Sequence, residues 1–553
     1  MISHRTVLLL MLFVITSASA LPGGSGSPFD RYRVRHYDIA VSFDIPSKTF
    51  SGHVVMSIEP VEPLSSCVYH ASSRAMVIDS VLLADRPLRF RRQGDSLEVF
   101  FPAPRSPGIR TDLVTYYHGH SIFTGQYDDG GVYVPDTARY QRLATISEPF
   151  YARRWWPCKD LPSDKAPVTI AVTVPAGLKA VSNGLLKSAD TREGKTTYRW
   201  ETSYPVATYL VSVAVAPYTE SRSEYHAENG RSMPVVIYAY PADSQKAAAD
   251  FRETDSVLHF LSRTFCEYPF LDEKFGYAEV DGDLTMENQT LCSISASIIN
   301  GTGTNRMTYI HETAHHWWGD LISPKTWHDT WLNEGFATYT EALYAEYKGG
   351  PEKYRRYVNL WASVPPGSYR SPVIAKSDTV FWDCFALSVY LKGALVLHML
   401  RGVVGDQVFF DILRSYIRDP RLRYGCATTA DFIGIAEKIY GKPLRWFFDE
   451  WLSAPPDSSD RPLYQFSWKD EPGRTGRRVA VSLRQKGAAN HPYRMPVEIG
   501  MYTHGAAAYR TFIDSLANQE VRFDTPSAPD SVVFDPHGWI FKSVATDSGG
   551  AMR

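Results

Sequence analysis

Apolar and polar residues alternate with a period of two through much of the first 220 or so positions. Residues 37–43 (YDIAVSF), 97–101 (LEVFF) and 169–174 (TIAVTV) tend to place every second side chain on one face, as half-buried strands do. Turn-forming groups such as Pro-Ser-Lys, Asp-Asp-Gly-Gly and Ser-Asn-Gly separate these runs. An antiparallel β domain is therefore predicted over 21–241. From about 242 the period lengthens to that of a helix, over 244–267, 307–321, 333–347, 386–401 and 408–418. Thr428 and Thr429 offer hydroxyl N-caps for a further helix, and Gly441 stands where its C-terminal cap belongs. A mostly helical domain is predicted over 242–455. After the linker-like PPDSSD, the runs RRVAVSLRQ, MPVEIGMYT, EVRFDT and SVVFDP alternate again. They predict a small C-terminal β-sandwich over 456–545, and the whole reads as a multidomain α+β chain.

The length agrees with that division. A chain of 553 residues exceeds the ~250–300 at which one core stops growing. A net charge of −2 argues against nucleic acid or an anionic membrane surface as partner. At the N-terminus, residues 1–5 carry positive charge, 6–16 (TVLLLMLFVIT) are apolar, and Ala18-Ser19-Ala20 suits a cleavage site. Residues 1–20 are thus expected to be a signal peptide, and the mature protein to be exported, periplasmic or secreted. No cysteine near the cut suggests a lipid anchor, and no later segment is expected to span a membrane. The six cysteines form no CxxC; fifteen full pairings and a set of free buried thiols all remain open.

Candidate chemistry concentrates in HETAHHWWGD at 311–320. On a helix His311 and His315 stand one turn apart on the same face, within reach of one ion. Glu312 projects beside them, where a carboxylate can take a proton from water. Zinc needs a third protein ligand, and Glu334 in WLNEGFATYTE, nineteen positions past His315, is the candidate from a second helix. One Zn2+ per chain and zinc-assisted hydrolysis of a peptide bond follow as expectations. Glu341, on the same helix as Glu334, is a candidate to orient a ligand histidine. Whether hydrolysis is internal or terminal depends on acids able to hold a free α-amine, for which Glu287 and Glu148 are candidates.

Taken in order and spacing, HETAHHWWGD, Glu334 in its segment, MEN at 286–288 and YLKGA at 390–394 resemble the aminopeptidase N family of zinc metallopeptidases. HYDIAVSFD with FSG, ARRWWPCKD and TTADF…FFDEWL extend the resemblance along nearly the whole mature chain. It implies a thermolysin-like catalytic domain and zinc ligands His311, His315 and Glu334, with Glu312 as general base. It also implies that Tyr390 stabilises the oxyanion, and that Glu287, in a Met286-Glu287-Asn288 segment that binds substrate, holds the substrate amine together with Glu148. Peptides with a free N-terminus are the implied substrates; the oligomeric state stays open. Two positions depart from the family pattern: Leu284 replaces a glycine and Ile146 a glutamine, both on the expected side-chain pocket. The family's large C-terminal helical domain is not expected, which implies an open cleft.

Overall fold

The computed structural model describes residues 26–124, 129–135, 141–282, 285–369, 371–453, 460–473, 476–486 and 491–545. The predicted signal peptide, the Pro455-Pro456 linker and Leu284 lie outside them.

The N-terminal part is built on an eight-stranded sheet. Its central strand Tyr32–Asp44 buries every second residue of its second half against the core, as its alternation predicts. That strand pairs antiparallel with Thr49–Pro60 but parallel with Val168–Pro175. The sheet is therefore mixed rather than purely antiparallel, because about 110 residues of chain return between these two strands. A smaller sheet of Lys179–Ser182, Val213–Ala216, Leu143–Ile146 and Gly131–Tyr133 faces the site described below.

Strands Thr219–His226 and Ser232–Ala239 pair onward with Phe275–Val280 and Cys292–Ser295 in one four-stranded sheet. The division expected at 241/242 thus runs through this sheet, since periodicity alone does not tell which strands share one. Helices follow. The helix predicted over 244–267 is two, Ser244–Asp250 and Thr254–Thr264. Helix Trp331–Ala362 is longer than predicted and kinks where Gly349 and Gly350 leave helical dihedrals before Pro351. Thr429–Tyr440 is capped as expected, by a reciprocal Thr428–Asp431 capping box and by Gly441 at φ 73°.

The C-terminal strands form a four-stranded and a three-stranded sheet. Two of them, Leu463–Gly473 and Ala506–Asp514, escape the alternation pattern; the second is exposed along most of its length. Tyr464, Val481, Ile499 and Phe541 belong to the same apolar core as Trp331, Leu397 and Phe448. A second core fills the N-terminal part and takes in Met286, Trp327, Cys384 and Phe385. All six cysteines are free. Contrary to expectation, Phe381–Val404 is long and apolar enough to cross a membrane by length and composition. Of its most apolar window 72% is buried against the rest of the protein.

Candidate active site

Helix Arg306–Ala314 carries His311 and Glu312 in its last turn. The helix predicted over 307–321 stops there, but His315 keeps helical dihedrals (φ −56°, ψ −25°), so the one-turn spacing of the two histidines survives. Their Nε2 atoms meet one carboxylate oxygen, Glu334 Oε2, at 3.1 Å from His311 and 3.4 Å from His315. One ligating atom from each of His311, His315 and Glu334 lies within 4.8 Å of the others. The outer ring nitrogens are held as well. His311 Nδ1 is 3.0 Å from Glu341 Oε1, while His315 Nδ1 is 3.0 Å from Trp318 O and bonds Asn333 Oδ1. His316 is excluded, because its Nε2 accepts the Thr290 N–H at 3.0 Å. Two anchored imidazoles and a carboxylate are a donor set that fits a zinc ion.

Two close backbone approaches make this convergence. Gly335 and Gly393 face each other: a Cβ built on Gly393 would sit 3.2 Å from Gly335 Cα. The helices therefore cross closely enough for Tyr390, on the π-helical turn Ser388–Lys392, to donate its hydroxyl to Glu334 Oε1 at 3.1 Å. Gly319, at φ 113°, leaves room for Asn333, whose Oδ1 would lie 2.1 Å from any Cβ there.

Asn333 also donates to Glu287 Oε1 at 3.0 Å, and Thr285 Oγ1 donates to Glu312 Oε1 at 2.8 Å. Neither partner has a sequence-periodic signal; both are found only once the ligands are placed. Glu148 follows strand Leu143–Ile146, where Ser147 pins the chain by donating to Val211 O and accepting from Trp155 Nε1, each at 3.0 Å. Its Oε1 is buried and has no hydrogen-bond partner among the described residues. One oxygen each of Glu148, Glu287 and Glu334 lies within 4.8 Å of the others. Burial, and then the facing Glu287 and Glu334, hold the Glu148 carboxyl well above the usual carboxylate range. Burial likewise pushes Glu312 up to about 7, against the pull of the two histidines. Burial opposes charge on His315, but Glu287 and Glu334 outweigh it and raise the ring to about 9.

These side chains line one cavity of about 160 Å³, joined by Ile146 and Met286 and by three residues not foreseen, Asp129, Phe381 and Phe385. Asp129 is held by an ion pair with Arg154. Asn288 does not line the cavity. Its Nδ2 reaches Leu210 O at 3.4 Å and its Oδ1 accepts from Ser293 Oγ at 2.8 Å, so it braces the loop that presents Met286 and Glu287.

Residues 275–451 match the peptidase family M1 domain and residues 34–210 the peptidase M1 N-terminal domain, together well over half of the chain. The chain belongs to peptidase family M1. This M1 chain is 28% identical over 323 residues to aminopeptidase N of Streptomyces lividans, covering 54% of this chain and 36% of that protein. It is 28% identical over 468 residues to mitochondrial aminopeptidase 2 of Saccharomyces cerevisiae, covering 75% and 45%. The chain thus spans half or less of the length of these curated relatives. Among solved structures, the M1 zinc metallopeptidase of Deinococcus radiodurans superposes with a TM-score of 0.67 at 28% identity, over 76% of this chain and 93% of that one. A mutant of that enzyme bound to a Tyr-Ser-Ala substrate gives 0.65 at 27% identity, over 76% and 94%.

Proposed function

We propose that the protein is a zinc-dependent aminopeptidase that removes the first residue of peptides with a free N-terminus. The observation that carries this reading is one cavity lined together by Glu148 and Glu287 and by His311, His315, Glu334, Glu312 and Tyr390. Two acids, one with an oxygen left without a partner, suit an incoming α-ammonium, which neutralises charge that burial disfavours. A zinc ion held by His311, His315 and Glu334 supplies Lewis acidity toward water and the scissile carbonyl. Glu312, its proton affinity raised by burial to near neutrality, takes a proton from the attacking water and passes it to the departing amine. Thr285 holds Glu312 in orientation. The Tyr390 hydroxyl donates to the oxygen that gains negative charge as the carbonyl becomes tetrahedral.

The test compares one short peptide with its N-acetylated form, following release of the first residue by mass spectrometry. The zinc-loaded protein is expected to trim only the free amine, one residue at a time. Glu287→Ala is expected to lose about a hundredfold in kcat/KM, the scale of truncating one partner of a buried charge pair. Internal cleavage of the acetylated peptide at a similar rate would make the protein an endopeptidase.

A further inference from the structure

Arg142 and Asp281 form an ion pair, Nη1 to Oδ1 at 3.0 Å, that joins two sheets. Arg142 immediately precedes strand Leu143–Ile146 of the N-terminal part, and Asp281 immediately follows strand Phe275–Val280 of the next sheet. Each stands six positions before an acid of the cavity, Arg142 before Glu148 and Asp281 before Glu287. The two side chains are 17% and 21% exposed, so water screens the pair less than it would at an open surface. Tyr240 engages both partners. Its hydroxyl donates to Asp281 Oδ2 at 3.1 Å, and the Arg142 guanidinium lies 3.6 Å from its ring centroid. A second contact joins the same segments: a Cβ built on Gly282 would sit 3.6 Å from the ring of Tyr133, which pairs with Ala144.

We propose that Arg142 and Asp281 are positioning residues that fix the separation of Glu148 and Glu287, and through it the affinity for the substrate's α-ammonium. The inference rests on the aminopeptidase reading, which assigns the amine to those two acids. One oxygen each of Glu148 and Glu287 lies within 4.8 Å of the other, and carboxylates that close repel when both are ionised. The segments carrying them must therefore be held together from outside the cavity. The loop bearing Glu287 is anchored beyond that residue, where Asn183 Nδ2 donates to Gln289 O at 2.7 Å and Gly184 N–H to Thr290 Oγ1 at 2.9 Å. Ahead of Glu287 the ion pair makes the corresponding anchor, and makes it to the strand that leads into Glu148. An ammonium that must meet two acids at once is sensitive to their spacing, because a shift of about 1 Å lengthens at least one charge-assisted bond. Neither Arg142 nor Asp281 lines the cavity, so their effect passes through the two acids.

Steady-state kinetics on one free-amine tripeptide separate positioning from mere support. Arg142→Gln and Asp281→Asn are each expected to raise KM about tenfold with kcat within about twofold, since weakened amine binding acts alike on ground and transition states. The double variant, which leaves neither charge unpaired, is expected to show the same rise and no more, because partners in one contact are not additive. Arg142→Lys keeps the charge and the attraction to the Tyr240 ring, and is expected to bring KM back to within about threefold of wild type. Thermal unfolding of each variant is followed alongside. A lower Tm or a lower kcat with KM unchanged would make the pair a structural joint only and overturn the inference. Additive effects in the double variant would overturn it as well. A wild type that does not trim the free-amine peptide would instead sink the aminopeptidase reading.

Discussion

Asn333 joins two tasks that the motifs treat separately. Its carbonyl oxygen holds His315 Nδ1 and its amide donates to Glu287, so one side chain sets both a candidate ligand ring and the acid proposed to bind the amine. Such residues are illegible in the sequence because an asparagine beside Glu334 has no spacing that points to either partner. The ligands themselves are legible, since His311 and His315 need only a helical turn to meet. A different buried polar group gives a prediction at this scale. Asp514 is fully buried, and burial pushes it up to about 6 even though Gln485 Nε2 donates to it at 2.7 Å. The folded chain therefore holds that proton more tightly than the unfolded chain does. The stability tied to it is complete below the ordinary carboxyl value of 3.8 and is lost as pH rises through about 6. Asp514→Asn, neutral at every pH, is expected to raise Tm by roughly 2–4 °C at pH 7.5 and not at pH 4. Calorimetry at both values checks it, and an equal gain at both would refute the assignment.

At the scale of elements, the site depends on where helices stop and how closely they cross. The apolar pattern over 307–321 continues past Ala314, so it overstates the helix; there the backbone tightens into turns, with His316 N–H donating to Thr313 O and Trp317 N–H to Ala314 O. Tyr390 shows the same limit. By periodicity it is one more residue of an apolar helix, and only the π-helical turn before Gly393 and the Gly335–Gly393 approach bring its hydroxyl to Glu334. Gly335→Ala is a direct probe. Its Cβ would meet Val389 O at 3.1 Å and Gly393 C at 3.2 Å, so the helices must part slightly. A loss of roughly 1–3 kcal/mol in stability is expected from such overpacking. Turnover is expected to fall further than KM rises, because Tyr390 and Glu334 are displaced more than Glu148. Denaturant titration and steady-state kinetics separate the two effects; unchanged turnover would show that the close crossing has no part in activity.

Across the whole molecule, the metal-ligand helices sit in a core that continues into the C-terminal sheets, and the N-terminal core closes on Met286 and Phe385. The site is therefore assembled by packing rather than by an ion. Removing metal with a chelator is expected to abolish peptidase activity and lower Tm while leaving the far-ultraviolet circular dichroism at 25 °C unchanged. Small zinc domains behave oppositely and unfold without their ion. Loss of the helical signal on chelation would place the metal among the determinants of the fold.

The sequence by itself determined the β, helical, β succession, the Thr428–Gly441 helix with both caps, and the set His311, Glu312, His315 and Glu334. Each rests on local periodicity, capping chemistry or short motif spacing, which are properties of neighbouring residues. Tertiary structure decided the rest. It drew strands on both sides of residue 241 into one sheet, kept Asn288 behind the cavity wall, and brought Thr285, Asn333 and Asp129 to the site. These depend on which distant surfaces meet when apolar area is buried, and contacts between residues dozens to hundreds of positions apart leave no period in the chain.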